Sequence, residues 1–280
     1  MKLFKGGIFL NKVLKTLTVA GSDSSGGAGL QADLKTFEEY NTFGFSALTT
    51  IVTMDPDNGW HHHVHPVAAS LVAEQLKTIL AGGPMDAMKT GMLGSVEIIQ
   101  VVEKMIQENQ QQNVVIDPVM VCKGEDEVLN PESADALRDL LIPLATVTTP
   151  NLFEAGVLSG LGKLSTIEEM KVAAKKIHAL GAQNVVIKGG KALDGSKAID
   201  LLFDGNDYLI LETDKINPAY HHGAGCTFAA AITGGLANGL SVKEAVLKAK
   251  DFVTEAIKAG YQFNEYVGPV FHAGYRLSKA

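Results

Sequence analysis

The sequence predicts an α/β fold in which a mostly parallel β-sheet is covered by helices on both faces. From Val13 onwards, short apolar runs alternate with amphipathic stretches of helical length, which is the pattern that βαβ units produce. No proline- or serine-rich linker, repeat or block of like charges divides the sequence. The 280 residues are 46% hydrophobic and 20% charged, an ordinary globular composition. We therefore expect a single domain over residues 13–280, preceded by an N-terminal extension over residues 1–12.

The strands are predicted from short runs rich in apolar and β-branched residues. In chain order these runs are LKTLTVAG, SALTTIVTM, the segment around DAMKTGM, NVVIDPVM, LATVTTPN, NVVIKGG and two runs that flank the turn Asp204-Gly205. In parallel sheets, ligands bind at the carboxyl ends of the strands. We therefore expect the chemistry in the loops that follow these runs.

The helices are predicted from apolar residues that recur every three to four positions. In chain order they are GLQADLKTFEEY, SLVAEQLKTIL, VEIIQVVEKMIQENQ, EEMKVAAKKIHAL, GAGCTFAAAITGGLANG and VKEAVLKAKDFVTEAIKAG. Thr166 and Glu169 have the spacing of a capping box at the start of the fourth. The first helix carries its apolar stripe at Leu30, Leu34, Phe37 and Tyr40.

Charge and cysteine content exclude several classes of function. A net charge of −7 argues against a nucleic-acid partner, which favours a basic surface. The two cysteines, Cys122 and Cys226, have neither CxxC nor zinc-ligand spacing, and we expect no disulfide. No apolar run approaches the roughly 20 residues that a membrane helix needs, and the apolar patch near the N-terminus is too short for a signal peptide. We expect a cytoplasmic protein with neither membrane nor nucleic-acid partners.

The first unusual loop, residues 21–29, joins a predicted strand to a predicted helix. Its sequence, GSDSSGGAG, resembles a phosphate-binding P-loop for six residues, but Gly27 stands where the lysine belongs. One interpretation is a glycine turn that lets the helix pack closely. The other is a ligand loop, because the carboxylate of Asp23 can accept hydrogen bonds from a polar ligand.

Two further loops carry acidic residues at strand ends. Asp117 ends a strand and is followed by Cys122, which is either part of a site or a buried structural cysteine. Asn151 and Glu154 are three residues apart at a helix start and face the same way. A glutamate there can hold hydrated Mg²⁺ on a nucleotide phosphate. Alternatively, Asn151 is only a helix N-cap.

The fourth loop, His222-Gly-Ala-Gly-Cys226, opens a long apolar helix. Its glycines leave backbone N–H groups able to face an anion, and a helix N-terminus adds about half a positive charge. Cys226 falls in the first turn, where this field favours the thiolate. We expect this cysteine to take a proton from a hydroxyl while the loop stabilises a transferred phosphoryl group. A glycine-rich helix start with a packed cysteine is the alternative.

The run Trp60-His-His-His-Val-His65 suggests a metal site, but no acidic or cysteine ligands lie near it in the sequence. Because Pro56, Asn58 and Gly59 precede or adjoin it, we expect a solvated loop. A mobile flap over a ligand is an intermediate interpretation.

Five of these motifs, in order, resemble the ribokinase superfamily. They are TVAGSDSSGGAGLQADLKTF, DPVM, TPNLFEA, the KGG loop and HGAGCTFAAA, spread between about Val13 and Ala273. They are most similar to the vitamin-kinase branch, which contains hydroxymethylpyrimidine (phosphate) kinases and pyridoxal kinases. The resemblance implies a three-layer ribokinase-like fold with a small flap, ATP with Mg²⁺ as phosphoryl donor, and assembly as a homodimer.

The resemblance also assigns roles by position. It makes Cys226 catalytic, at the end of an anion hole formed by Gly223, Ala224 and Gly225. It places the vitamin substrate against Gly21, Asp23, Met54, His62 and Val121. It places the nucleotide against Asn151, Glu154, Lys188, Gly189, Gly190, Lys191, Ala192, Asp200 and Gly225, with Mg²⁺ at Glu154 and Asp117.

Two positions favour pyridoxal as the substrate. Pyrimidine kinases of this branch usually have a polar residue where this sequence has Met54, and they lack a thiol at the position of Cys122. The chain resembles the dual-cysteine pyridoxal kinases of Gram-positive bacteria, in which the first cysteine adds to the aldehyde and the second activates the 5′-hydroxyl. A hydroxymethylpyrimidine (phosphate) kinase of thiamine biosynthesis, an enzyme with both activities, and a non-catalytic vitamin B6-binding protein are the alternatives.

Overall fold

The computed structural model describes residues 12–120, 131–217 and 220–280. The strands in these ranges are β1 (Lys15–Asp23), β2 (Phe43–Asp55), β3 (His61–Pro66), β4 (Ala87–Thr90), β5 (Val114–Ile116), β6 (Val147–Thr148), β7 (Val185–Gly190), β8 (Lys197–Phe203) and β9 (Tyr208–Asp214). The α-helices are α1 (Gly29–Glu39), α2 (Ala69–Leu80), α3 (Val96–Glu108), α4 (Pro131–Ala136), α5 (Leu152–Ser159), α6 (Ile167–Ala179), α7 (Ala224–Ala237), α8 (Val242–Lys258) and α9 (Gly274–Ser278). A π-helical turn and a 3₁₀ turn continue α4 from Leu137 to Leu144.

These strands form one sheet in the order β3-β2-β1-β4-β5-β6-β7-β8-β9. The six strands from β2 to β7 in this order are parallel to their neighbours. The outer strands β3, β8 and β9 pair antiparallel. The predicted mostly parallel sheet is therefore confirmed, and its parallel strands present their carboxyl ends at one edge. The boundaries predicted for the extension and the domain, 1–12 and 13–280, stay a prediction.

Apolar side chains cover both faces of the sheet. On one face, Leu17, Met88 and Ile116 pack in a buried cluster with residues of α2, α3 and α6. On the other, Ala87 and Val115 pack with residues of α7 and α8. Adjacent residues of β4, Ala87 and Met88, thus serve opposite faces, as the pleat of a strand requires. The result is three layers, helices on either side of the sheet.

The predicted capping box at the start of α6 is confirmed. The Glu169 backbone N–H donates to Thr166 Oγ1 at 3.2 Å, and the Glu169 carboxylate accepts from the Thr166 backbone N–H at 3.0 Å. A second capping box, between Asn151 and Glu154, opens α5. The N-cap role considered for Asn151 is therefore real, and it fixes the start of α5 at the end of β6.

The expectation of a solvated loop at the histidine run was wrong. His61–Pro66 form the edge strand β3, which pairs with the second half of β2 so that Met54 lies opposite His62. Strand β2 is 13 residues long, and its last residues extend beyond the parallel strands. This extension leaves an edge with which another strand can pair. Gly59 and Trp60 take left-handed backbone conformations that turn the chain back onto it. We call residues 50–66 the flap hairpin.

The described residues contain neither a cluster of metal-binding side chains nor a membrane-spanning helix. No group of three or more histidine, cysteine, aspartate or glutamate side chains there is arranged to hold a metal ion. His61, His63 and His65 are exposed on the flap hairpin. None of the helices in these ranges combines the length and the apolar character needed to cross a membrane.

Candidate active site

Two cavities lie side by side at the carboxyl ends of the parallel strands. The first has a volume of about 460 Å³, and the second has a volume of about 370 Å³. Four residues line both cavities: Asn151, Lys188, His221 and Gly225. A group bound in one cavity would therefore meet a group bound in the other at these four residues.

The first cavity brings together most of the residues predicted for the substrate. Gly21 and Asp23 enter it from the end of β1, and Met54 and His62 enter from the flap hairpin. Val52, Gly91, Met92 and Val119 complete its mainly apolar wall. Val121 and Cys122, which were also predicted here, lie outside the described residues.

The second cavity is lined by many of the residues that were predicted to bind the nucleotide. Gly190, Lys191, Asp200 and Ala224 line it. Asp200 accepts hydrogen bonds from the Gly190 backbone N–H at 3.0 Å and from Lys250 Nζ at 2.7 Å, and so fixes the loop after β7. Gly189 and Ala192 are joined by a turn hydrogen bond of 3.0 Å behind this wall and line neither cavity.

The predicted anion hole is the start of α7, between the two cavities. Gly223 caps the helix with φ of 80°, a conformation that favours glycine. A Cβ at Gly223 would also collide with the carbonyl oxygen of Gly27. The Ala224 N–H donates to the carbonyl of His221 at 3.1 Å. The remaining N–H groups of the first turn point out of the helix start, where they favour an anion.

Asp23 holds the loop of residues 21–29 against the start of α7. Its carboxylate accepts from the backbone N–H groups of Ser25 at 2.7 Å and Ala28 at 2.9 Å. Its Oδ2 also lies 2.6 Å from His222 Nε2. Burial acts to raise the pKa of Asp23, but the hydrogen bonds from His222 and Ser25 outweigh it and hold the pKa below its usual value. Asp23 is thus an ionised carboxylate that locks two loops together.

A cluster of charged side chains lies at the junction of the cavities. Lys188 Nζ donates to Asp117 Oδ1 at 2.7 Å, and the Thr149 hydroxyl donates to the same oxygen at 3.0 Å. Glu154 accepts from the Asn151 backbone N–H at 2.8 Å. Burial raises the pKa of Glu154 to about 7. One lysine thus faces two buried carboxylates, an excess of negative charge that a cation would relieve.

The expectation that helix α7 favours a thiolate at Cys226 was wrong for the protein without ligands. Burial raises the pKa of Cys226 to about 11, and the ammonium of Lys89 is the largest influence in the opposite direction. The thiol lines the first cavity but is otherwise surrounded by protein. Desolvation of a charge by burial exceeds the field of a single helix terminus.

Lys89, which lines the same cavity as this cysteine, belongs to a buried ion pair that the sequence pattern did not predict. Lys89 Nζ lies 2.9 and 3.0 Å from the two carboxylate oxygens of Asp33, and both side chains are fully buried. Asp33 falls on the apolar stripe of α1, between Leu30 and Phe37, and Lys89 interrupts the apolar run of β4. A charged residue at a position that periodicity assigns to the core was the available signal.

Comparison with known proteins identifies the family to which this chain belongs. The model of the family described as phosphomethylpyrimidine kinase matches residues 23–271. The chain belongs to the phosphomethylpyrimidine kinase family. This match covers the residues that line the two cavities except Ala20, Gly21 and Ser22 near the end of β1.

Relatives of this phosphomethylpyrimidine kinase family member include vitamin kinases with different printed substrates. It is 58% identical to the pyridoxine kinase of Bacillus subtilis, over 95% of this chain and 98% of the relative. It superposes on the pyridoxal kinase of Staphylococcus aureus in complex with AMP-PCP and pyridoxal with a TM-score of 0.90, at 54% identity over 95% of this chain and 96% of that one. It is 39% identical to the hydroxymethylpyrimidine/phosphomethylpyrimidine kinase of Bacillus subtilis, over 94% and 96% of the two chains.

Proposed function

We propose that this chain is an ATP-dependent pyridoxal kinase that phosphorylates the 5′-hydroxyl of pyridoxal, with pyridoxine and pyridoxamine as further acceptors. The observation that carries the proposal is the pair of cavities joined at Asn151, Lys188, His221 and Gly225. A kinase that uses a small acceptor needs two adjacent sites that share one phosphate-binding junction. A non-catalytic vitamin-binding protein needs only the first.

The wall of the first cavity supports a pyridine rather than an aminopyrimidine. Met54 lies in the wall with Val52 and Val119, and its thioether makes only weak hydrogen bonds. An aminopyrimidine edge buried against these side chains would lose hydrogen bonds to water without replacement. The relatives named for pyridoxine or pyridoxal are also more similar to this chain than the pyrimidine kinase, at 58% and 54% against 39% identity.

The mechanism follows from the residues at the junction. ATP occupies the second cavity with its γ-phosphoryl group at the start of α7, and pyridoxal occupies the first with its 5′-hydroxyl beside Cys226. The thiolate of Cys226 takes the hydroxyl proton while the hydroxyl oxygen bonds to the γ-phosphorus. The bond from that phosphorus to the β–γ bridging oxygen breaks, and ADP leaves. Lys188 and the N–H groups at Gly225 neutralise the charge that develops on the transferred group.

The donors at the junction suit Mg²⁺. Asp117 and Glu154 are carboxylates and Asn151 has an amide oxygen, all oxygen donors beside the predicted phosphate position. Mg²⁺ prefers oxygen ligands and binds through one or two carboxylates together with phosphates and water. We propose that Glu154 and Asp117 hold the ion, directly or through water. Bound there, it would withdraw charge from the phosphate oxygens.

The assay that tests the proposal measures ADP release with MgATP and one acceptor at a time: pyridoxal, pyridoxine or hydroxymethylpyrimidine. We expect the highest kcat/KM with pyridoxal. Activity confined to hydroxymethylpyrimidine would replace the proposal with a thiamine-pathway kinase. Comparable activity on both would establish a dual enzyme, which the family assignment and the 39% identical relative favour as the second candidate. No transfer to any acceptor would favour the non-catalytic binding protein.

We also propose that the enzyme is a cytoplasmic homodimer. The strand β3 is at the edge of the sheet, and edge strands carry hydrogen-bonding groups that a second chain can pair with. Phe43, Ile51 and Leu71 are large apolar residues with exposed fractions of 55%, 41% and 50% near this edge. Light scattering after gel filtration tests the proposal, and a monomer at micromolar concentration would contradict it.

A further inference from the structure

The buried ion pair between Lys89 and Asp33 has no part in the mechanism above, although Lys89 lines the same cavity as Cys226. The side chains of both residues are fully buried. Burying an ion pair costs several kcal/mol per ion in desolvation, and apolar replacements of such pairs are often equally stable. Stability alone therefore does not account for a lysine and an aspartate at this position.

The local geometry joins the pair to Cys226. Gly29, at the start of α1, lines the first cavity together with Cys226, and its backbone N–H acts to lower the pKa of the thiol. Asp33 lies four residues further along α1, which is one turn away on the same face of the helix. Lys89 lies on β4 in register with Thr18, and the Thr18 hydroxyl donates to Asp33 Oδ2 at 2.6 Å. Helix α1 thus carries both Gly29, which lies in the cavity wall, and Asp33, which binds the lysine.

Lys89 reaches the surface of the first cavity. It lines that cavity together with Cys226, and a Cβ on Gly91 in the same wall would lie 3.4 Å from its Nζ. An ammonium has three N–H bonds, and the hydrogen bonds of Lys89 to the two Asp33 oxygens fix the position of the ammonium in the cavity wall. Burial acts against the charge of Lys89, but the Asp33 carboxylate outweighs it and holds the lysine pKa above its usual value. The lysine is therefore a permanent cation.

Four charged groups influence the Cys226 sulfur: Lys89 from β4, Lys188 from β7, Asp33 from α1 and Asp117 after β5. The two lysines favour the thiolate and the two aspartates oppose it. Lys188 is bound to Asp117 and lines both cavities, whereas Lys89 is bound to Asp33 and lines the first cavity alone. Lys89 is thus the cation assigned to the sulfur.

We propose that Lys89, held in place by Asp33, is a positioning residue that stabilises the thiolate of Cys226 and so prepares it to accept the hydroxyl proton. In the protein without ligands the thiolate is a minor species, because burial raises the pKa of the thiol; it forms when the thiol releases its proton to solvent, and the ammonium of Lys89 stabilises it. During transfer the sulfur takes the proton of the hydroxyl, and it returns this proton to solvent after the product leaves. The inference rests on the proposed kinase function for its catalytic consequence, but not for the ionisation of the thiol.

The test uses Cys122→Ser protein, in which Cys226 is the one remaining cysteine of the sequence. The rate of alkylation of Cys226 by iodoacetamide is measured between pH 6 and 10. We expect Lys89→Met to reduce this rate about tenfold or more at pH 8 and to shift its pH dependence upwards by about one unit. In the chain with Cys122 intact, the same substitution should lower kcat with the KM for ATP unchanged.

Two further variants separate an electrostatic role from a structural one. Lys250→Met removes a lysine from the other buried Lys–Asp pair, with Asp200 at 2.7 Å, and should leave the alkylation of Cys226 unchanged. Lys89→Met combined with Asp33→Asn removes both charges and leaves neither partner unpaired. We expect this double variant to fold with near-parental thermal stability while alkylation and kcat stay low.

Recovery of parental alkylation and kcat in the double variant would overturn the proposal and leave the pair a structural role. An unchanged alkylation profile in Lys89→Met would overturn it as well. Because alkylation needs no vitamin substrate, a failure of the pyridoxal assignment leaves this result interpretable.

Discussion

Lys188 donates a 2.7 Å hydrogen bond to Asp117 in the wall where the two cavities meet. Burial opposes the charge of this lysine, but Asp117 and Glu154 outweigh it and hold its pKa above the usual value. The lysine is therefore protonated at neutral pH. A fixed cation at this point can form an ion pair with a phosphoryl group while that group is transferred from a ligand in one cavity to a ligand in the other.

Replacing Lys188 should affect catalysis much more than replacing Lys191. Lys188→Met removes the cation shared by both cavities, and we expect kcat to fall at least about 100-fold, as for loss of a group that stabilises transition-state charge. Lys191 lines the nucleotide cavity alone and is exposed, so Lys191→Met should change the KM for ATP by less than about tenfold. Steady-state kinetics on pyridoxal, with the exposed Lys176→Met as control, distinguishes them. Equal losses in kcat would contradict the assignment.

Cys226 should be indispensable for transfer without being important for folding. Cys226→Ala removes the proton acceptor, and general-base catalysis of this kind is worth about 10²–10⁴-fold. We expect kcat to fall within that range while the thermal midpoint stays within a few degrees of the parent. Calorimetry and the ADP-release assay on the same preparation provide both measurements. A variant with more than a tenth of parental kcat would exclude Cys226 as the base.

The role that the family resemblance gives to Cys122 can be tested by the choice of acceptor. Only pyridoxal has an aldehyde to which a thiol can add reversibly. Cys122→Ala should therefore reduce kcat/KM for pyridoxal far more than for pyridoxine. Both acceptors are compared with the same MgATP concentration and enzyme batch. Equal losses on both would eliminate the hemithioacetal.

Glu154 should make stability fall as the pH rises. Burial raises its pKa from 4.5 to about 7 in the folded protein, so the folded state binds more protons than the unfolded state between these values. This group therefore stabilises the fold below about pH 4.5, and its contribution is lost as the pH rises to about 7. The shift corresponds to a free energy of unfolding on the order of 3 kcal/mol.

Chemical denaturation of Glu154→Gln and the parent across pH 5–8, without nucleotide, measures this effect. Relative to the parent, the variant should gain stability as the pH rises. Glu169→Gln is the matched control, since Glu169 makes the same capping box at an exposed site and its backbone hydrogen bonds lower its pKa. That control should show no such trend above pH 5. A constant difference between Glu154→Gln and the parent would refute the raised pKa.

Trp60 should hold the flap hairpin over the first cavity. Its ring stacks on Tyr266 with centroids 6.2 Å apart and meets the edge of Phe263 at 6.0 Å. Such aromatic pairs contribute about 0.5–1.5 kcal/mol each beyond the area that they bury. Trp60→Ala should raise the KM for pyridoxal about threefold to tenfold and leave the KM for ATP unchanged. Tyr261→Ala, an exposed aromatic of the same loop, is the control; a rise in both KM values would argue against a role confined to the flap.

Local sequence patterns predicted the elements that depend on neighbouring residues. The capping box at Thr166 and Glu169 and the helix start at Asn151 follow from hydrogen bonds between residues three apart. The long edge hairpin was missed because the pairing of His62 with Met54 depends on register across a turn. Three consecutive histidines, His61 to His63, conceal the alternation that identifies a strand.

The spacing of residues along the sequence predicted most of the strands and helices, the loops that line the two cavities and the family to which the chain belongs. These depend on spacing along the chain, which repeats of apolar residues and glycine motifs record directly. The electrostatics of the site, in contrast, depend on the folded structure. The ion pair of Lys89 with Asp33 joins residues 56 positions apart, and the burial that raises the pKa of Cys226 arises from several elements at once. Desolvation and charge pairing depend on distances through space, and no spacing in the sequence contains them.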